Sequence, residues 1–182
     1  MQKYPTSMIY KFRMISGDDK AFLRDYEIDS NQTFLAFHNL VQENLGFDPT
    51  QLASFFLADE HWNKGMELTL LDMQNEGDMA AIPMESVKIC ELIKDRKERL
   101  LYVYDIFTDN SLFIELLDIF EPVKGVKYPI CSASVGEPPV QLADDSVTMP
   151  VDDFEEENEI DDIFGEFDPD EFGAEGFDGG DE

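Results

Sequence analysis

The N-terminal residues alternate apolar and polar sides with a period of two. From Ile9 to Ser16, Tyr10, Phe12 and Met14 fall on one side and Ile9, Lys11, Arg13 and Ile15 on the other. That is the signature of a strand. Gly17-Asp18-Asp19-Lys20 supplies turn residues, and residues 21–28 form a second strand candidate, so the pair predicts a hairpin. The period then lengthens. Phe34, Phe37, His38, Val41 and Leu45 share one face of a helix. Asp29-Ser30-Asn31 offers N-cap oxygens before it, and Gly46 suits its end. Strand character returns at 52–57 and 66–72. Residues 85–94 predict a short helix, with Val87, Cys90 and Ile93 spaced by three. The strongest strands are 99–106 and 111–120, joined by the turn residues Thr108-Asp109-Asn110.

This order predicts an α+β fold. It reads β-β-α-β-β, then a short helix and a C-terminal hairpin. Strands joined by hairpins with one main helix imply a mixed or antiparallel sheet, not a doubly wound parallel one. The helix would cover one face and bury Phe34, Phe37, Val41 and Leu45. The arrangement is β-grasp-like, an analogy of fold that carries no chemistry.

Charge divides the chain. Of its 182 residues, 41 are acidic and 13 basic, a net charge of −28. Residues 144–182 hold 18 of the acids and no Lys or Arg, leaving 23 acids against 13 bases, or −10, before them. Such a density of like charge opposes collapse. The reading is a folded domain over 1–142 and an acidic disordered tail over 143–182. The tail also carries Phe154, Phe164, Phe167, Phe172 and Phe177 among its carboxylates. Ile160, Ile163, Phe164 and Phe167 would share one face if the segment became helical on a partner, while Gly165 and Pro169 oppose a helix formed alone. Ile160, Ile163, Phe164, Phe167 and Phe172 are therefore the candidate partner-binding residues, with a solubilising bristle as the plain alternative. Calcium does not fit this tail. An EF-hand loop starting at Asp168 would place Phe172 at its fifth position and Gly179 at its twelfth.

Recognised catalytic patterns are absent: no GxSxG, HExxH or GxxxxGK[ST] occurs. The expectation is no catalytic residue, no metal site and no cofactor. His38 reads as a structural histidine on the helix face. Cys90 and Cys131 read as two free thiols, one of them buried. Asp105 interrupts an apolar strand, and Asp109 sits in the turn after it. With Tyr104 they mark a possible polar pocket at the sheet end. The alternative is that the carboxylates simply fix the hairpin. No apolar run has the length of a signal peptide or a membrane span. The expected compartment is the cytoplasm, with no membrane partner.

Three stretches together resemble the plasmid pRiA4b ORF-3-like family, also described as insertion-element passenger proteins. The first runs from Ile28 to Phe47 and contains the Phe37-His38 step. The second is Leu101-Tyr102-Val103-Tyr104-Asp105-Ile106-Phe107-Thr108-Asp109 followed by Phe113-Ile114-Glu115-Leu116. It is similar to the family's Y-x-Y-D-F-G-D-x-W stretch. The third is Tyr128-Pro129-Ile130-Cys131 with Gly136-Glu137-Pro138-Pro139, similar to P-x-C…G-x-x-C-P-P-E-D. The resemblance covers about residues 8–142. It departs from the pattern at Thr108, where the family has Gly, and at Glu137, where it has a second Cys. The resemblance implies the fold and brings no activity with it.

These readings converge on a non-enzymatic protein-interaction module whose acidic-aromatic tail binds a basic protein surface. Direct nucleic-acid binding is not expected, because phosphates need clustered Lys and Arg. One alternative is a nucleic-acid mimic that blocks a DNA-binding protein. Another is a metal-dependent hydrolase using domain carboxylates.

Overall fold

A computed structural model describes residues 7–71 and 81–141. The tail with its five candidate residues lies outside the described residues. In chain order the elements are β1 (Ile9–Ser16), β2 (Leu23–Asp29), α1 (Phe34–Leu45), β3 (Ser54–Ala58), β4 (Lys64–Thr69) and β5 (Ile82–Pro83). A 3-10 turn (Met84–Ser86) leads to α2 (Ile89–Leu92), β6 (Arg99–Asp105), β7 (Asn110–Phe120) and β8 (Ile130–Val135). The fold is α+β, with one eight-stranded mixed sheet in the order β5-β4-β3-β6-β7-β1-β2-β8. Neighbours run antiparallel except β4 and β5, which are parallel. No helix among the described residues is long and apolar enough to cross a membrane.

The first hairpin forms as its turn residues direct. Ser16 Oγ accepts the amides of Asp18 and Asp19 at 3.2 and 3.3 Å, and Asp19 Oδ1 accepts that of Ala21 at 2.9 Å. The register then sets Phe12 opposite Tyr26 and Arg13 opposite Asp25. Successive residues face opposite sides of a strand. One side of the hairpin is thus aromatic and the other charged.

Helix α1 covers the aromatic side. Its buried residues are Phe34, Phe37, His38, Val41, Gln42 and Leu45. Phe37 stacks on Phe12 at 4.8 Å and on Phe55 of β3 at 5.2 Å between ring centroids. Tyr26 meets it edge-on at 6.1 Å. At the helix end Gly46 adopts φ 67° and donates its N–H to the Gln42 carbonyl, a left-handed conformation that glycine takes without strain. The N-cap differs from the sequence expectation: it is Thr33, whose hydroxyl accepts the Ala36 amide at 3.2 Å. Asp29 instead closes a turn at the strand exit, accepting the Asn31 amide at 2.8 Å and the Ser7 hydroxyl.

The expected helix over 85–94 is shorter, and its amides explain why. Ile89 N–H donates to the Gln32 carbonyl and Cys90 N–H to that of Ser30, both at 2.9 Å. Phe34 N–H in turn reaches Val87 O at 3.2 Å. Bonds to the β2–α1 connection thus take backbone groups that a longer helix would need. Val87, Ile89 and Ile93 are the buried residues here, while Cys90 and Cys131 are both half-buried. Two strands were absent from the sequence reading, β5 and β8. β8 pairs with β2, and Arg24 holds its end by donating to the carbonyls of Val135 at 2.6 Å and Gly136 at 2.9 Å. Gly136 has φ 72°, and a Cβ there would stand 2.5 Å from the Ala21 carbonyl oxygen. Only glycine lets the chain pass so close.

Candidate functional site

Tyr104 and Asp105 end β6, and Asp109 precedes β7. Asp105 is buried and its carboxylate serves the turn. Oδ1 accepts the amides of Phe107 at 3.0 Å and Thr108 at 3.4 Å, and Oδ2 accepts the Thr108 hydroxyl at 2.6 Å. The hydroxyl bond from Thr108 holds the Asp105 carboxyl below its usual range. Tyr104 packs on Phe47 at 5.3 Å, and burial pushes its phenol up to about 12. Asp109 adopts φ 58° and forms an ion pair with Lys64. The three residues therefore divide. Tyr104 and Asp105 line one cavity of about 90 Å³ with Thr50, Gln51, Leu52, Ile106 and Phe107. Asp109 turns to β4 instead.

A second, more apolar cleft of about 160 Å³ adjoins this cavity, sharing Leu52 and Ile106 with it. The start of β3, the end of β4 and the residues after β6 build its walls, which include Glu67, Leu70 and Leu71. The register explains the convergence: Ser54 sits opposite both Thr69 and Val103, so these three strand ends meet at one end of the sheet. Leu52, Leu71, Ile106 and Phe107 are 45, 57, 42 and 89% exposed. A cluster of exposed apolar side chains of this kind marks a contact surface more often than a lone one does. The sequence reading placed Tyr104 and Asp105 at this end. It missed the apolar partners, because strands distant in the chain supply them.

The sheet face away from α1 carries charge. Arg13 and Asp25 are only 3 and 2% exposed. They form a bidentate pair, with Nε and Nη2 each 2.8 Å from a carboxylate oxygen. Lys11 lies 3.9 Å from both Asp25 and Glu27. Glu115 sits opposite both Arg13 and Arg99 in the register and accepts from Arg99 Nε at 3.1 Å. Arg99 also lies over the Trp62 ring at 4.5 Å and donates to the Glu60 carbonyl at 2.6 Å. Trp62 meets Phe113 edge-on at 5.0 Å. Acids and bases thus alternate across β2, β1, β7 and β6, and these carboxylates already hold arginine or lysine partners. Among the described residues no group of three or more His, Cys, Asp and Glu is placed to hold a metal.

The helix-covered face has a polar inclusion. Gln42 Nε2 donates to the Tyr102 hydroxyl at 2.5 Å, and that hydroxyl lies 2.8 Å from His38 Nδ1. If Tyr102 accepts from Gln42, its own proton goes to Nδ1, and His38 is the neutral tautomer protonated at Nε2. Burial agrees, lowering the His38 pKa to about 4. His38 is thus a buried structural histidine.

Among the described residues these features define an α+β protein with a wide mixed sheet, one main covering helix and an apolar cleft at one sheet end. The chain belongs to the plasmid pRiA4b ORF-3-like family, whose model matches residues 9–175. That span continues beyond residue 142 into the acidic segment, further than the three motifs reach. Among solved structures the chain is similar to the crystal structure of a protein of unknown function from Methanosarcina mazei Go1. The two share 18% identity over 72% of each chain with a TM-score of 0.59, a likeness of fold. No curated protein matches the chain.

Proposed function

We propose that this chain is a protein-interaction module without catalysis of its own, whose acidic, Phe-containing C-terminal segment binds a basic protein surface. One observation carries the reading: residues 144–182 hold 18 acids, no base and five phenylalanines. Carboxylates steer such a segment to a basic surface, and the rings supply the apolar contacts that hold it there. The family match, which runs to residue 175, supports treating this segment as part of the protein's working sequence.

The test is affinity capture from cell extract, with the full chain and a Phe164→Ala/Phe167→Ala/Phe172→Ala variant in parallel. Charge is unchanged in the variant. Loss of retained basic proteins from the variant is the expected result, and equal retention by both chains overturns the reading. If added DNA displaces the same proteins from the wild type, the basic surface is a DNA-binding one and the segment acts as a nucleic-acid mimic.

A further inference from the structure

We infer that the apolar cleft at the sheet end is a second contact point for the same class of partner, taking an apolar side chain that has a Lys or Arg beside it. This inference rests on the interaction reading above and concerns a different part of the chain. The cleft, about 160 Å³, is the size of a cavity that accepts one aromatic ring, roughly 150 Å³. Its rim stays open: Leu52, Leu71 and Ile106 are each more than 40% exposed.

Charge decides what fits. The residues lining the cleft and its neighbouring cavity include two carboxylates, Glu67 and Asp105, and no Lys or Arg. Glu67 engages Ser54 Oγ through one oxygen at 2.8 Å, and its other oxygen remains for a further donor. Asp105 is buried and its oxygens are taken by the Phe107 amide and by the amide and hydroxyl of Thr108, so Glu67 is the carboxylate left for a partner. The nearby base Lys64 is matched by Asp109. A second copy of this chain, at −28, would bring like charge to Glu67, and so would its own segment 144–182. A partner segment with apolar and basic residues side by side satisfies both walls.

The test uses the full chain, methyl-labelled at Ile and Leu, titrated with a short peptide alternating Leu and Lys and with a control alternating Leu and Glu. The Leu-Lys peptide should shift the methyl resonances of Leu52, Leu71 and Ile106, and the control should leave them in place. Ile106→Ser, at an exposed turn position, should weaken Leu-Lys binding about tenfold, and Glu67→Gln should weaken it by a smaller factor. Shifts confined to residues 144–182 overturn the cleft while leaving the tail reading intact. Cleft shifts alongside unchanged capture by the triple Phe variant support the cleft and overturn the tail. Methyl shifts that depend on protein concentration without peptide mean that a second copy fills the site. Contacts from Ile106 to Met73 or Met79 mean that residues 72–80 fill it. Either result overturns the proposal.

Discussion

The two faces of the sheet are buried by different means. Under α1 the side chains are aromatic, and Phe37 touches rings from β1, β2 and β3. On the other face Arg13 and Asp25 reach comparable burial as ions. Stacked rings gain from area and shape, and each pair of touching atoms adds about 0.1 to 0.2 kcal/mol, repeated many times. A buried ion pair balances a large desolvation cost against an attraction of similar size. The aromatic face therefore stabilises the fold, whereas the charged face constrains how the strands pair. A slip of one residue would move Arg13 and Asp25 into the aromatic core.

Double substitution separates these roles most sharply. Phe37→Ala should cost about 3 to 5 kcal/mol, because it leaves a void among rings that cannot all collapse inward. Asp25→Ala should cost about as much for another reason: it leaves the Arg13 guanidinium buried without its main partner. Arg13→Met/Asp25→Leu should then recover most of that loss, since the buried guanidinium is removed together with the carboxylate it holds. Urea unfolding of the three variants beside the wild type measures all of this. If the double variant is as unstable as Asp25→Ala, the charged face contributes net stability and the contrast between the faces fails.

The same contrast explains what could be read from the chain alone. The aromatic face was legible, because Phe34, Phe37, Val41 and Leu45 repeat at helical spacing and Tyr10, Phe12 and Met14 alternate. The charged face was only half legible. Lys11 and Arg13 stood on the polar side of β1, a pattern that ordinarily means solvent. Their partners Asp25 and Glu115 lie in other strands, so burial depended on the register between them. Glu115, set inside the apolar run 112–117 of β7, was the available signal, whereas Asp25 shares β2 with Arg24, Glu27 and Asp29 and reads as one more polar position. β8 escaped for a related reason: Ile130–Val135 is half serine and alanine and has little apolar periodicity of its own. Its place depends on pairing with β2. The sheet-end cleft was illegible because residues from about 50, 70 and 106 meet there only after folding.

Acid gives a second way to separate the faces. The folded-state pKa of His38 is lowered to about 4 from an ordinary 6.5 by burial. The folded protein thus prefers the neutral imidazole. Its contribution is fully present above pH 6.5 and is lost as pH falls from 6.5 towards 4, where the unfolded chain takes up the proton first. The whole window amounts to about 3 kcal/mol. Urea midpoints measured between pH 7 and 4.5 should fall in the wild type. His38→Asn keeps an acceptor near the Tyr102 hydroxyl but cannot titrate, so its profile should be flatter between pH 6.5 and 5. An unchanged slope in that variant would assign the acid sensitivity to the charged face instead.

The smallest effect tests whether the faces are independent. Thr33→Ala removes the oxygen that accepts the Ala36 amide and should cost about 1 kcal/mol. Its partner, the Ala36 amide, is not one of those of Asp25, which is held by Arg13 and Lys11 on the opposite face. Substitutions at separate sites without common partners add to within about 0.5 kcal/mol. Thr33→Ala/Asp25→Ala should therefore lose the sum of the two single losses. A shortfall well beyond that margin would mean that loosening α1 already relaxes the strand register, and that the aromatic and charged faces answer to one set of contacts.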